Sequence, residues 1–86
     1  MKPYFVYMVQ CADATLYTGI CTDVERRVKE HNGSTLGAKY TKTRQPVVLI
    51  YSETCADRST ALKREHAIRQ LSRSEKLMLS QRSQSS

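Results

Sequence analysis

Residues 17–32 read YTGICTDVERRVKEHN. The stretch changes period in its middle. Up to Cys21 it is aromatic and β-branched and continues a strand that begins at Leu16. Beyond Thr22 the apolar residues recur at helical spacing. Thr22-Asp23-Val24-Glu25 fits a capping box, in which a Thr hydroxyl and a Glu carboxylate satisfy free N–H groups at a helix start. The helix is expected to run to about Asn32, with Gly33 adopting the left-handed conformation that stops it. Residues on a helix turn by about 100° each, so with Val24 at zero Val28 falls at about +40°, His31 at about −20° and Arg27 at about −60°. Arg27 and His31 therefore share the stripe that packs on a sheet, whereas Glu25, Arg26, Lys29 and Glu30 fall on the other side. A charge aimed at a packing face needs a partner there or an open cleft. Gly19 weakens the strand it sits in, which marks a close approach by other backbone or by a ligand.

Residues 4–10, YFVYMVQ, follow Pro3 and read as a strand buried on both faces. CADAT, 11–15, holds a turn around Asp13, so this strand and LYTGIC, 16–21, make an antiparallel hairpin. With an even register Tyr7, Tyr17 and Gly19 project from one sheet face. Residues 33–46, GSTLGAKYTKTRQP, have no period and carry Lys39, Lys42 and Arg44 without an acid. Residues 47–53 read as a third strand. Asp57 caps a second helix from about Arg58 to Leu71. With Leu62 at zero, Glu65 falls at about −60°, inside the arc that Ala61 and Ile68 hold at about −100° and −120°. Its structural reading is an ion pair with Arg27 or with Arg69. His66 turns away and reads as surface. Ser72-Arg73-Ser74-Glu75 is a second capping box that opens a short third helix, about 73–80. The tail QRSQSS is expected to be disordered. The organisation is a single domain over 1–82 with a polar tail at 83–86.

The chain has 86 residues, 40% hydrophobic and 26% charged, an ordinary composition for a small globular domain with a modest core. No window approaches the ~20 apolar residues of a membrane span. The apolar run from Tyr4 to Val9 is too short for the core of a signal peptide. The protein is therefore expected in the cytoplasm and off the membrane. Cys11, Cys21 and Cys55 are widely spaced, form no C-x-x-C pair and read as reduced thiols. Fourteen Lys and Arg face eight Asp and Glu, a net charge of +6, which favours an anionic partner, nucleic acid first.

Val6-Tyr7, then Tyr17-Thr18-Gly19, then Glu25 to His31 (ERRVKEH), then Ala61 to Glu65 (ALKRE) together resemble the GIY-YIG nuclease family. The likeness is to its small single-domain bacterial members, related to the N-terminal nuclease domain of the excinuclease C subunit. It covers roughly residues 3–80. The first motif reads Phe5-Val6-Tyr7, so only its tyrosine is literal, and Thr18 replaces the usual isoleucine of the second. The family fold is a three-stranded antiparallel sheet flanked by helices. That agrees with the α/β (α+β) order β-β-α-β-α-α read above, with three helices.

The resemblance implies a divalent metal, Mg²⁺ or Mn²⁺, held by a glutamate at Glu65, and a catalytic arginine at Arg27. It places the motif tyrosines at Tyr7 and Tyr17, and His31 where some branches use a histidine. The activity implied is metal-dependent endonucleolytic cleavage of DNA, in repair or processing; the sequence does not separate DNA from RNA as substrate. The alternative is a non-catalytic nucleic-acid-binding module on the same fold. A lone carboxylate suits Mg²⁺, which keeps several waters. An Arg fork suits a phosphate gaining charge. A phenol, at its ordinary pKa of ~10, is a poor base. A neighbouring Arg and metal would lower that value, so Tyr7 could take the proton of the attacking water, with Tyr17 orienting phosphate or water and His31 as relay or phosphate donor; the sequence leaves the choice of base among the three open. Lys39, Lys42 and Arg44 are expected to neutralise phosphates and Tyr40 to stack on a base. The tyrosines, the guanidinium and the carboxylate should meet on a single side of the sheet. Targeting would come from DNA shape, a protein partner or a homodimer.

Overall fold

The computed structural model describes residues 3–33 and 39–84, with side chains through residue 81. Residues 34–38 of the basic segment and the last two residues of the tail lie outside them. Strand β1, Tyr4–Gln10, is central; β2, Leu16–Cys21, and β3, Val48–Cys55, flank it antiparallel, in the order β2-β1-β3. This is why YFVYMVQ lacks alternation: Val6, Tyr7, Met8 and Val9 are all buried, two toward each face. Tyr7 pairs with Gly19 across the hairpin. On the other side the register slips between Met8 and Val9, a bulge in the pairing.

The two faces carry separate cores. On one, Val6 and Met8 pack with Cys55, Ala61 and Ile68, joined by Leu16, Ile20 and Leu79. This face is covered by α3, Arg58–Arg69, and α4, Arg73–Gln84. Ile68 is wholly buried, a contribution of ~1.5–3 kcal/mol. On the other face Tyr7, Val9, Cys11 and Val47 pack with Tyr17, Cys21, Val24 and Val28. Helix α1, Val24–Gly33, lies there. A four-residue helix, α2, Lys39–Lys42, accompanies it. A single turn shows no period, so the aperiodic stretch 33–46 gives no sign of it.

Local chemistry sets the ends. Asp57 Oδ1 accepts from Thr60 N at 2.8 Å and starts α3 as expected. Ser72 and Glu75 form the reciprocal box of α4: Ser72 N donates to Glu75 Oε1 at 2.8 Å and Glu75 N to Ser72 Oγ at 3.2 Å. At α1 the cap is Asp23, not Thr22: its Oδ1 accepts from Arg26 N at 3.0 Å. Gly33 is helical, and no glycine among the described residues has a positive φ, so a left-handed stop is not what ends α1. Gln45 Nε2 instead donates to the His31 carbonyl at 2.7 Å, and the Asn32 side chain holds both backbone polar groups of Val47, at 2.9 and 2.6 Å. The turn at 11–15 is closed by Asp13, which accepts from Thr15 N and Oγ1, with Ala14 at φ 69°. Helix α4 continues to Gln84 rather than Ser80, over part of the expected tail, and α3 ends at Arg69 rather than Leu71. The cysteines are all free thiols. Among the described residues no helix is long and apolar enough to cross a membrane.

Candidate active site

Tyr7 stands at the centre of β1, 1% exposed, with its ring against Gly19. A Cβ on Gly19 would lie 2.7 Å from the Tyr7 hydroxyl oxygen and 2.9 Å from Cζ. The close approach read at Gly19 is thus made by the phenol. That hydroxyl is 2.7 Å from His31 Nε2, and His31 Nδ1 is 2.7 Å from Thr41 Oγ1. His31 and Thr41 are fully buried. Three elements, β1, α1 and α2, therefore contribute to one hydrogen-bonded chain under the sheet.

Burial holds the His31 pKa below its ordinary value, and the nearby Arg27 charge adds to this. The imidazole is then neutral at pH 7, with one nitrogen a donor and the other an acceptor. When Nδ1–H donates to Thr41 Oγ1, Nε2 accepts the Tyr7 proton. Tyr7 itself is pushed up to about 12, by burial above all, and the Arg27 hydrogen bond offsets only part of it. Arg27 does draw Tyr7 toward phenolate, as expected, but the guanidinium alone is outweighed by the desolvation of a phenolate at the sheet centre. Tyr7 passes a proton on only in company with His31.

Arg27 emerges beside this chain with its side chain 25% exposed, and Nη1 donates to Glu30 Oε1 at 2.9 Å. Burial opposes its charge, but the bonds to Glu30 and Tyr7 together prevail and keep it protonated. Glu30, read as pointing away, swings round to reach it. Tyr17 closes the other side. Its ring lies 6.5 Å from Tyr7, edge-on to His31 at 5.3 Å and stacked on Tyr40 at 5.8 Å.

The basic segment divides. Lys39 and Lys42 are exposed on α2. Arg44 is engaged by the protein: Nε donates to Asp13 Oδ2 at 3.1 Å, Nη1 to the Tyr40 carbonyl at 2.8 Å, and the guanidinium lies 4.1 Å from the Tyr40 ring centroid. It ties the hairpin turn to α2, and Tyr40 is already in contact with Tyr17 and Arg44.

Glu65 does not share the face of the tyrosines. It sits on α3, across the sheet, half-buried, 3.7 Å from Arg69. Of the two ion pairs read from the sequence, this is the one to Arg69. Arg69 Nη2 in turn donates to the Thr18 carbonyl at 3.3 Å on the open edge of β2. A groove of about 490 Å³ runs along that edge, lined by Leu16, Tyr17, Thr18, Tyr40, Arg69 and Lys76. The two faces communicate round β2, and the single-sided hollow expected from the sequence is replaced by this edge. Thr41 and Arg69 were missed. Thr41 lies in the aperiodic segment, where no spacing marks it. Arg69 was read only as a partner for Glu65.

The described residues hold no group of three or more His, Cys, Asp or Glu that could cage an ion. One loosely paired carboxylate fits a hydrated Mg²⁺, which takes one or two protein carboxylates and otherwise water and phosphate. Glu65 is the residue that would hold it.

Residues 3–78 match the family model described as the GIY-YIG catalytic domain. A UPF0213 protein of Desulfotalea psychrophila is 62% identical over 76 residues, 88% of this chain and 69% of the relative. Another, of Staphylococcus haemolyticus, is 49% identical over 79 residues, covering 92% and 95%. Among solved structures, a UPF0213 protein of Bacillus halodurans is 39% identical with a TM-score of 0.56, covering 90% of this chain and 81% of that one. A protein of E. faecalis is 34% identical with a TM-score of 0.63, covering 100% and 92%. A Tyr7–Gly19 approach beneath a β2-β1-β3 sheet, a family match over nearly the whole chain and these relatives agree: the chain belongs to the GIY-YIG family.

Proposed function

We propose that the chain is a metal-dependent endonuclease that hydrolyses DNA phosphodiester bonds at the β2 edge. The observation that carries the reading is the buried Tyr7–His31–Thr41 chain, with the part-exposed Arg27 hydrogen-bonded to its Tyr7 end. A proton acceptor and a charged fork next to one another are what phosphodiester hydrolysis asks of a protein. The Tyr7 oxygen takes the proton of the attacking water as its own passes to His31 Nε2, so no isolated phenolate forms in the core. Arg27 holds the phosphate oxygens, bidentately where the fork allows. Tyr17 orients the phosphate or water. Lys39 and Lys42 neutralise flanking phosphates. Bound at Glu65, Mg²⁺ or Mn²⁺ would add positive charge beside the scissile phosphate. Double-strand cutting calls for two encounters or a second copy, and such cutting would serve DNA repair or processing.

The test is cleavage of single-stranded, duplex and branched DNA, with RNA alongside, by purified protein with and without Mg²⁺. Wild type should cut only with the ion, and Glu65→Gln should lose at least ~10²-fold in rate while melting normally. Protein that binds every substrate and cuts none would leave a binding module in place of an enzyme.

The proton chain makes a second expectation. Cleavage should rise with pH through the His31 pKa, which lies below the ordinary ~6.5, and level off once the ring is neutral. Stability follows the same sign: a histidine buried neutral stabilises above its unfolded pKa, and that share is lost as pH falls through the lowered folded value. Thr41→Val removes the Nδ1 partner and should cost ~1–3 kcal/mol for the stranded ring nitrogen. It should also displace the acid limb of the pH–rate profile, and Thr41→Ser should restore both. A profile unmoved by Thr41→Val would show that Thr41 serves the fold alone.

A further inference from the structure

The groove along β2 does not end at Tyr17. A second hollow, lined by Thr15, Leu16, Arg73 and Lys76, shares Leu16 and Lys76 with the first, so the two are continuous along the strand edge. From Thr15 to Thr18 the extended chain covers ~10 Å at ~3.4 Å per residue. Three cations wall this length: Arg69, Lys76 and Arg73. No Asp or Glu is among the lining residues, and the nearest acid of α4, Glu75, lines a different hollow with Leu71, Met78 and Leu79.

The positions are held rather than left to solvent. Arg69 Nη2 donates to the Thr18 carbonyl at 3.3 Å, and Arg73 Nη1 to the Ala14 carbonyl at 2.6 Å. The Ser72–Glu75 box fixes where α4 starts, which puts Arg73 and Lys76 one turn apart on the groove side. A guanidinium has five N–H donors in a fixed fork, so one bond to a carbonyl leaves most of each fork available. The Lys76 side chain makes no ion pair among the described residues. A short peptide or a lone phosphate does not call for three positive groups strung along an edge, whereas a polyanionic strand does.

We propose that this edge is a strand track, in which Arg73 and Lys76 of α4 hold backbone phosphates of the substrate strand to one side of the bond that is cut. The proposal rests on the nuclease reading for what the strand is, and adds α4 as the element that seats it. Arg69 stands at the junction, where the track meets Glu65 and Tyr17.

The experiment measures binding apart from cleavage. Fluorescence anisotropy with a labelled DNA oligonucleotide in EDTA gives log K against log salt for wild type, Lys76→Ala, Arg73→Ala and the pair. Each lost phosphate contact should lower the slope by roughly 0.7–0.9, and the pair by about twice that. Lys29→Ala, on the outer side of α1, should leave it unchanged. Thermal melts accompany each variant, because Arg73 also anchors the hairpin turn; if Arg73→Ala unfolds, Lys76→Ala decides. An unchanged slope in Lys76→Ala with an intact fold would overturn the track and leave the nuclease reading standing. A lowered slope in a protein that never cuts DNA with Mg²⁺ would keep the track and remove the nuclease.

Discussion

Arg27→Ala should lower the single-turnover rate of DNA cleavage by about 10²–10³-fold, the loss typical when one preorganised donor to a developing oxyanion is removed. The fold should survive it. Arg27 is a quarter exposed and pairs with Glu30, which keeps a second, longer contact with Arg26 at 3.7 Å. Partly exposed pairs of this kind contribute ~0–1 kcal/mol, so the melting temperature should fall by no more than ~4–8 °C. Arg27→Lys keeps the charge but loses the fork, and should recover only part of the rate. An independent readout comes from the histidine. Arg27 is the second cause, after burial, that holds the His31 pKa down. In Arg27→Ala the His31 titration followed by NMR should therefore move up toward its ordinary value, and with it the acid limb of any residual activity. A variant that cuts at the wild-type rate would remove Arg27 from the chemistry. A variant that unfolds would instead make the residue a structural post.

How far these positions were legible depends on what kind of signal each one leaves. The strands were readable because their side chains must satisfy a period or its absence: YFVYMVQ is buried on both faces, and its bounds, like those of LYTGIC, matched to the residue. Arg27 and His31 were readable because a charge and a ring stood in a stripe otherwise apolar. The helix cap went to Asp23 rather than Thr22, since two adjacent residues both carry a capping oxygen and only the coordinates show which one meets the Arg26 amide. Thr41 left no trace, because a single helical turn has no periodicity and a buried threonine resembles any other. The face of Glu65 was misjudged for a different reason. Helical angles say that a residue points at the sheet but not which side of the sheet its helix lies on, and α1 and α3 lie on opposite sides. The Tyr7 pKa went astray through magnitude. A sequence can suggest that a cation stands near a phenol, but the depth of burial that opposes it is a property of the packed domain.

Gly19→Ala separates packing from propensity, because the two predict opposite signs. Exchanging glycine for alanine within a strand should stabilise by ~0.5–1 kcal/mol through the lost freedom of the unfolded chain. The new Cβ, however, would stand 2.7, 2.9 and 3.0 Å from the Tyr7 hydroxyl oxygen, Cζ and Cε1. The ring has little room to retreat, being buried and bonded to His31, which is itself wholly buried. Overpacking of this kind costs ~1–3 kcal/mol, so the net effect should be destabilising, with a fall in melting temperature of roughly 4–8 °C per kcal/mol for a domain of this size. Cleavage should fall as well, since the only relief is to push the phenol away from Nε2. Two backgrounds locate the cause. With Tyr7→Phe the 2.7 Å contact disappears but Cζ still opposes the methyl, so the cost should shrink without vanishing. With Tyr7→Ala nothing of the ring remains, and Gly19→Ala should turn stabilising, recovering the propensity term alone. The coupling between the two positions is then the measure of how tightly the phenol is pressed against β2. If Gly19→Ala raised the melting temperature with Tyr7 in place, the hydroxyl would not be pinned between Gly19 and His31, and the proton chain that starts from it would lose its anchor.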